Sequence, residues 1–86
     1  MTDYWLSKLF FDLQKPAAAA EYRADRAAVM ARYPLSPQVT AALLADDVAA
    51  LAPFVNPYLL RFYFGSVGMP DAAFIRGLRG GAATHG

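Results

Sequence analysis

Apolar residues along this chain recur three and four apart, the spacing of helices, and no segment alternates as a strand would. The first helix begins at Thr2 or Asp3, either of which can cap it, and runs through Leu13. Within it Leu6, Leu9, Phe10 and Leu13 make one inward stripe, while Tyr4 and Phe11, seven apart, mark another side. Pro16 opens a second helix that continues through Arg32, with Tyr22, Val29 and Tyr33 as its bulky stripe and Arg23, Asp25, Arg26 and Arg32 as a solvated face. Tyr33-Pro34-Leu35 breaks it, and Ser36 with Pro37 starts the next, which runs to Ala45. Asp46 or Asp47 caps a short turn of helix ending at Pro53. Ser66-Val67-Gly68 reads as a loop, and a last helix runs from Pro70 through Arg79 until Gly80-Gly81 stops it. Five or six short helices with brief connections predict an all-α, compact single domain over residues 1–81, with 82–86 as a flexible tail.

The segment Asn56 to Gly65 departs from this pattern. Asn56 can cap it, Pro57 suits its first position, and Gly65 can take the left-handed conformation that ends a helix. Between them Tyr58 meets Phe62, Leu59 meets Tyr63 and Leu60 meets Phe64, three pairs that point in different directions. A helix apolar all round is expected to be buried all round. A domain of this size buries only about 60% of the surface its unfolded chain exposes. The surplus side therefore predicts a second protein.

Composition supports that reading. Of 86 residues, 57% are hydrophobic and 17% charged, which excludes a disordered chain. A net charge of +1, with the basic residues scattered, offers no field for a polyanion, so no nucleic acid is expected. No run approaches the roughly 18 apolar residues that span a bilayer, the N-terminus lacks a secretory pattern, and there is no cysteine. A cytoplasmic protein without a membrane partner is the expectation.

Chemistry of its own is poorly provided for. A metal site needs about three ligands, and the one histidine, His85, stands next to the C-terminus, where a solvated tail residue is the simpler reading. No thiol is present, and no serine has a histidine available except through that tail. Asp46 and Asp47 are adjacent, which suits capping and not a carboxylate pair. Gly65-Ser66-Val67-Gly68 is too short for a phosphate loop, and Arg76-Gly77-Leu78-Arg79-Gly80-Gly81 carries only a faint resemblance to arginine-glycine nucleic-acid segments. Arg61 either lays its stem over apolar surface or reaches a partner's carboxylate. The hydroxyls of Tyr58 and Tyr63 need hydrogen bonds wherever they are buried, inside the domain or across an interface.

The chain resembles the small, all-helical LigA-type subunit of protocatechuate 4,5-dioxygenase and related type II extradiol dioxygenases. The resemblance covers residues 5–81. It rests on the aromatic first helix, Tyr33-Pro34-Leu35-Ser36-Pro37, Leu44-Ala45-Asp46-Asp47, Asn56-Pro57-Tyr58-Leu59-Leu60, and Gly68-Met69-Pro70-Asp71 leading to Gly80-Gly81. It implies a non-catalytic subunit with no cofactor of its own. A LigB-type large subunit would hold Fe(II) through two histidines and a glutamate, and this chain would pack over its active site. Together the hetero-oligomer would complete the pocket for meta-cleavage of a catechol-like aromatic. By the same resemblance Tyr58, Phe62, Tyr63, Phe64 and Met69 stand nearest that pocket, Asn56 fixes the turn before the helix, and Arg61 belongs to the same surface. The chain departs from the longer protocatechuate subunits in lacking terminal extensions and in a shorter connection to Gly68-Met69, so contacts made by those segments do not carry over. It is also similar to the recognition domain of ribosomal peptide precursors of the split-borosin type, which docks to an N-methyltransferase. Gly81-Ala82-Ala83-Thr84-His85-Gly86 is short for the core peptide such a domain presents and lacks valine and isoleucine.

Overall fold

Asp3 starts the first helix, α1 (Tyr4–Asp12), by accepting the Leu6 N–H at 3.0 Å. Its own N–H donates to the Phe54 carbonyl at 2.7 Å, which ties the start of the chain to its middle. The computed structural model describes residues 3–84, and side chains as far as Arg79. Among the described residues it contains seven α-helices, one 3-10 turn and no strand. The predicted inward stripe of α1 is the buried one: Leu6, Leu9, Phe10 and Leu13 lie in the core, and Tyr4 and Phe11 are exposed.

The second helix is two. Where the sequence predicts one helix from Pro16 to Arg32, the chain forms α2 (Pro16–Ala24) and α3 (Arg26–Met30), separated by Asp25 at φ −155°, ψ 88°. The Asp25 carboxylate accepts the Ala28 N–H at 3.1 Å, so a local side-chain bond replaces helix continuation and restarts the chain in a new direction. The face expected to be merely solvated is partly engaged. Arg26 donates to the Leu43 carbonyl at 3.1 Å and to Asp46 at 2.8 Å, Arg23 reaches the Ser66 carbonyl at 3.0 Å, and Arg32 pairs with Glu21 at 2.7 Å.

Ser36 caps α4 (Pro37–Leu44) through the Val39 N–H at 3.1 Å. The adjacent aspartates then divide two tasks. Asp46, at φ 52°, takes the left-handed turn that ends α4, and Asp47 caps α5 (Val48–Leu51) through the Ala50 N–H at 3.1 Å. A 3-10 turn (Ala52–Phe54) leads to α6 (Pro57–Ser66), where Asn56 accepts the Tyr58 N–H at 2.7 Å. Gly65 does not end this helix. The left-handed residue is Gly68, φ 92°, with Met69 N–H on the Phe64 carbonyl at 2.9 Å and Gly68 N–H on the Gly65 carbonyl at 3.1 Å. Ser66, expected in a loop, is the last residue of α6.

The last helix, α7 (Asp71–Thr84), continues through Gly80 and Gly81, past the stop the sequence predicts; His85 and Gly86 lie outside the described residues. Gly77 allows α7 to lie close against α5: a Cβ there would stand 2.9 Å from Val48 Cβ and Cγ2. The segment with a resemblance to arginine-glycine motifs is therefore helical, and its first glycine is a packing residue. One core joins all the helices, with Phe10 of α1 stacked on Tyr63 of α6 at 4.2 Å and Phe64 tilted against Phe74 of α7 at 6.0 Å. A radius of gyration of 12.3 Å is close to the roughly 12 Å expected of a single compact domain this long.

Candidate functional site

The helix that is apolar all round has two very different sides. Leu60, Tyr63 and Phe64 point inward and are buried, whereas Tyr58 is 70% exposed and Phe62 39% exposed. The inward side is fixed by its neighbours. The Tyr63 ring stacks on Phe10, and its hydroxyl meets the Tyr22 hydroxyl at 2.5 Å, either oxygen being able to donate. Burial pushes the pKa of both phenols up, that of Tyr63 the further, so both stay protonated and the bond stays neutral.

The sequence-predicted site residues thus separate. Tyr58, Arg61 and Phe62 share the outer side of α6. Tyr63 and Phe64 belong to the core and present no surface to a second chain. Asn56 is exposed at the helix start, occupied as its cap, and Met69 is half-buried against the core just after the helix end. Arg61 lines the apolar groove edge with its guanidinium largely exposed, as a stem laid over apolar surface would be, and its Nη2 donates to Asp71 Oδ2 of α7 at 2.8 Å. Both partners are largely exposed, so the bridge contributes at most about 1 kcal/mol, and its evident effect is to hold the guanidinium toward α7.

The outer surface continues onto α7. Asp71, Ile75, Leu78 and Arg79 stand at i, i+4, i+7 and i+8, on one side of that helix, and Ile75 and Leu78 are 40% and 39% exposed. Between the helices lies a groove of about 420 Å³, walled by Pro57, Tyr58, Leu60 and Arg61 on one side and Phe74 and Leu78 on the other. Sequence reasoning missed Ile75, Leu78 and Arg79. The one signal for them was Gly77: once a glycine is assigned to close packing on α5, the opposite residues of α7 must face out.

Other apolar groups are exposed elsewhere. Tyr4 and Trp5 meet edge to face at 5.0 Å on α1, and Leu44 borders a depression of about 300 Å³ between α3 and α4. The α6 and α7 surface differs in combining aromatic, aliphatic and arginine side chains, the composition that interface centres favour. Among the described residues, no three or more of His, Cys, Asp and Glu are grouped to hold a metal ion, and no helix is long and apolar enough to cross a membrane.

The family model described as aromatic-ring-opening dioxygenase LigAB, LigA subunit, matches residues 6–81. Comparison with curated proteins and with solved structures returned no match.

Proposed function

The chain belongs to the LigA subunit family of the LigAB aromatic-ring-opening dioxygenases, and on that premise we propose that it is the non-catalytic small subunit of an extradiol dioxygenase. Its partner is a LigB-type large subunit that holds Fe(II). The outer side of α6 and α7 docks there and completes the wall of a pocket in which a catechol-like aromatic undergoes meta-cleavage. One observation carries this reading: Tyr58, Phe62, Ile75 and Leu78 lie exposed on two neighbouring helices of a domain whose own core is already closed. With Tyr58 70% exposed and Phe62, Ile75 and Leu78 about two-fifths exposed, these side chains forgo part of the burial energy of large apolar residues, about 1.5–3 kcal/mol each when fully buried. A partner surface recovers it.

The site residues are accordingly Tyr58, Arg61 and Phe62, with Met69 three residues past the end of that helix; Tyr63 and Phe64 act only by holding α6 in place. Co-expression with a LigB-type large subunit tests the proposal. A stable iron-containing complex is expected, and the double variant Tyr58→Ala, Phe62→Ala is expected to abolish assembly or raise KM for the aromatic about 10-fold or more while the chain keeps its helical circular dichroism. Assembly and kinetics unchanged in the double variant would remove the assignment of this surface. A chain that ignores every LigB-type subunit and is instead methylated near its C-terminus would favour the peptide-precursor role.

A further inference from the structure

Tyr58, Arg61, Phe62 and Gly65 stand at i, i+3, i+4 and i+7 on the outer side of α6, the four positions that surround one depression on a helix surface. Three corners carry long side chains and the fourth carries none. The fold itself does not require glycine at position 65. Its backbone is right-handed helix, the helix end is supplied by Gly68, and a Cβ at Gly65 would meet nothing within 4 Å. Glycine is a poorer helix residue than alanine, so the isolated domain would be better served by a side chain there. Something outside the domain accounts for its absence.

Charge indicates what that is. Residues 56–79 carry three arginines, Arg61, Arg76 and Arg79, against one carboxylate, Asp71, whereas residues 1–55 carry six acidic against five basic residues. The acidic excess and the basic excess sit at opposite ends of the sequence, and the basic one coincides with the exposed apolar surface. Arg61 is held by Asp71, while Arg79, beside Ile75 and Leu78, makes no ion pair among the described residues. A complementary surface is apolar at its centre and acidic at its rim.

Resting on the reading that the partner is a LigB-type large subunit, we propose that these four residues form a socket for one apolar side chain of that subunit. Its main chain passes close over Gly65, and a carboxylate on it faces Arg79. The rings of Tyr58 and Phe62 wall the socket, and the Asp71 bridge keeps the Arg61 charge off its mouth. Gly65 is thus a specificity residue of the interface and a cost to the free chain.

Opposite effects on stability and assembly make the test. Thermal unfolding of the full chain and its Kd for the large subunit are measured for wild type, Gly65→Ala, Gly65→Leu and Arg79→Glu. Gly65→Ala is expected to raise the free chain's Tm by about 4 °C and weaken binding about 10-fold. Gly65→Leu, which fills the socket, weakens it about 100-fold or more. Arg79→Glu weakens it and flattens its dependence on salt. Wild-type-like Kd values for both Gly65 variants overturn the socket and leave the subunit assignment standing. Failure of the wild-type chain to bind any LigB-type subunit overturns that assignment and the named partner together. Self-association of the free chain that Gly65→Leu abolishes would replace the large subunit by a second copy as the occupant, and so overturn the proposal.

Discussion

Both ends of the Tyr63 side chain are occupied within the domain, the ring by Phe10 and the hydroxyl by Tyr22. Tyr63→Ala therefore acts on the fold and not on a surface: a loss of about 3–5 kcal/mol is expected by urea unfolding, as for other buried aromatics. Tyr63→Phe keeps the ring but strands the Tyr22 hydroxyl, at about 1–3 kcal/mol, and Tyr22→Phe added to it should cost less than the two single changes together. Additive losses would mean that the two hydroxyls do not act as a pair. A second polar pair gives a pH signature. Tyr33 donates to Asp12 at 2.6 Å, which together with the Lys8 bond holds the Asp12 carboxyl below its ordinary value, while burial and the same bond push Tyr33 up to about 12. A lowered carboxyl contributes stability that is present above its unfolded value of about 4 and is lost as pH falls. A raised phenol contributes stability that is present below about pH 10 and is lost as pH rises towards 12. Tyr33→Phe should shrink both the acid loss and the alkaline one, of which the buried Tyr22 and Tyr63 phenols keep their share, read from urea midpoints between about pH 3 and 12. An unchanged stability profile would show that the bond does not form in solution.

Helix starts were legible because each depends on one residue and its immediate neighbours: Asp3, Ser36, Asp47 and Asn56 all cap as their chemistry predicts, and Pro16, Pro37 and Pro57 occupy first positions. Helix ends were less so. Gly65 and Gly80-Gly81 read as stops because glycine permits the left-handed turn, but permission is not use, and the turn after α6 falls at Gly68. The break at Asp25 was hidden by the strong helix propensity around it; only the pull of Arg26 towards Leu43 and Asp46, far away in sequence, shows what the break achieves. The facing of α6 could not be read at all, since a helix apolar on every side carries no directional signal, and Tyr63 is selected for the core by Phe10 and Tyr22. At α7 the deciding contact is Gly77 on Val48. A Cβ is fixed to the backbone and cannot swing aside, so Gly77→Ala should push α5 and α7 apart at about 1–3 kcal/mol, offset in part by about 1 kcal/mol of helix propensity. In the Gly77→Ala background, Val48→Ala should then cost less than it does alone, by denaturant titration. A stabilised Gly77→Ala would refute the close approach.

As a whole molecule, the chain closes one core and still leaves an aromatic and aliphatic surface across α6 and α7, bordered by arginines. The sequence already indicated surplus apolar surface and a partner; the structure removes Tyr63 and Phe64 from that surface and adds Ile75, Leu78 and Arg79. On the proposed function, this surface is where a LigB-type large subunit binds. Sedimentation velocity of the chain mixed with such a subunit, comparing wild type with Tyr58→Asp, is the decisive measurement. An acidic residue in the first turn of α6 suits the helix and opposes the proposed acidic rim of the partner. A joint species is expected for wild type, and for Tyr58→Asp two separate species with the chain still helical. A wild-type chain that sediments alone at its own 9.3 kDa, or a Tyr58→Asp chain that joins the complex as well as wild type, would contradict it.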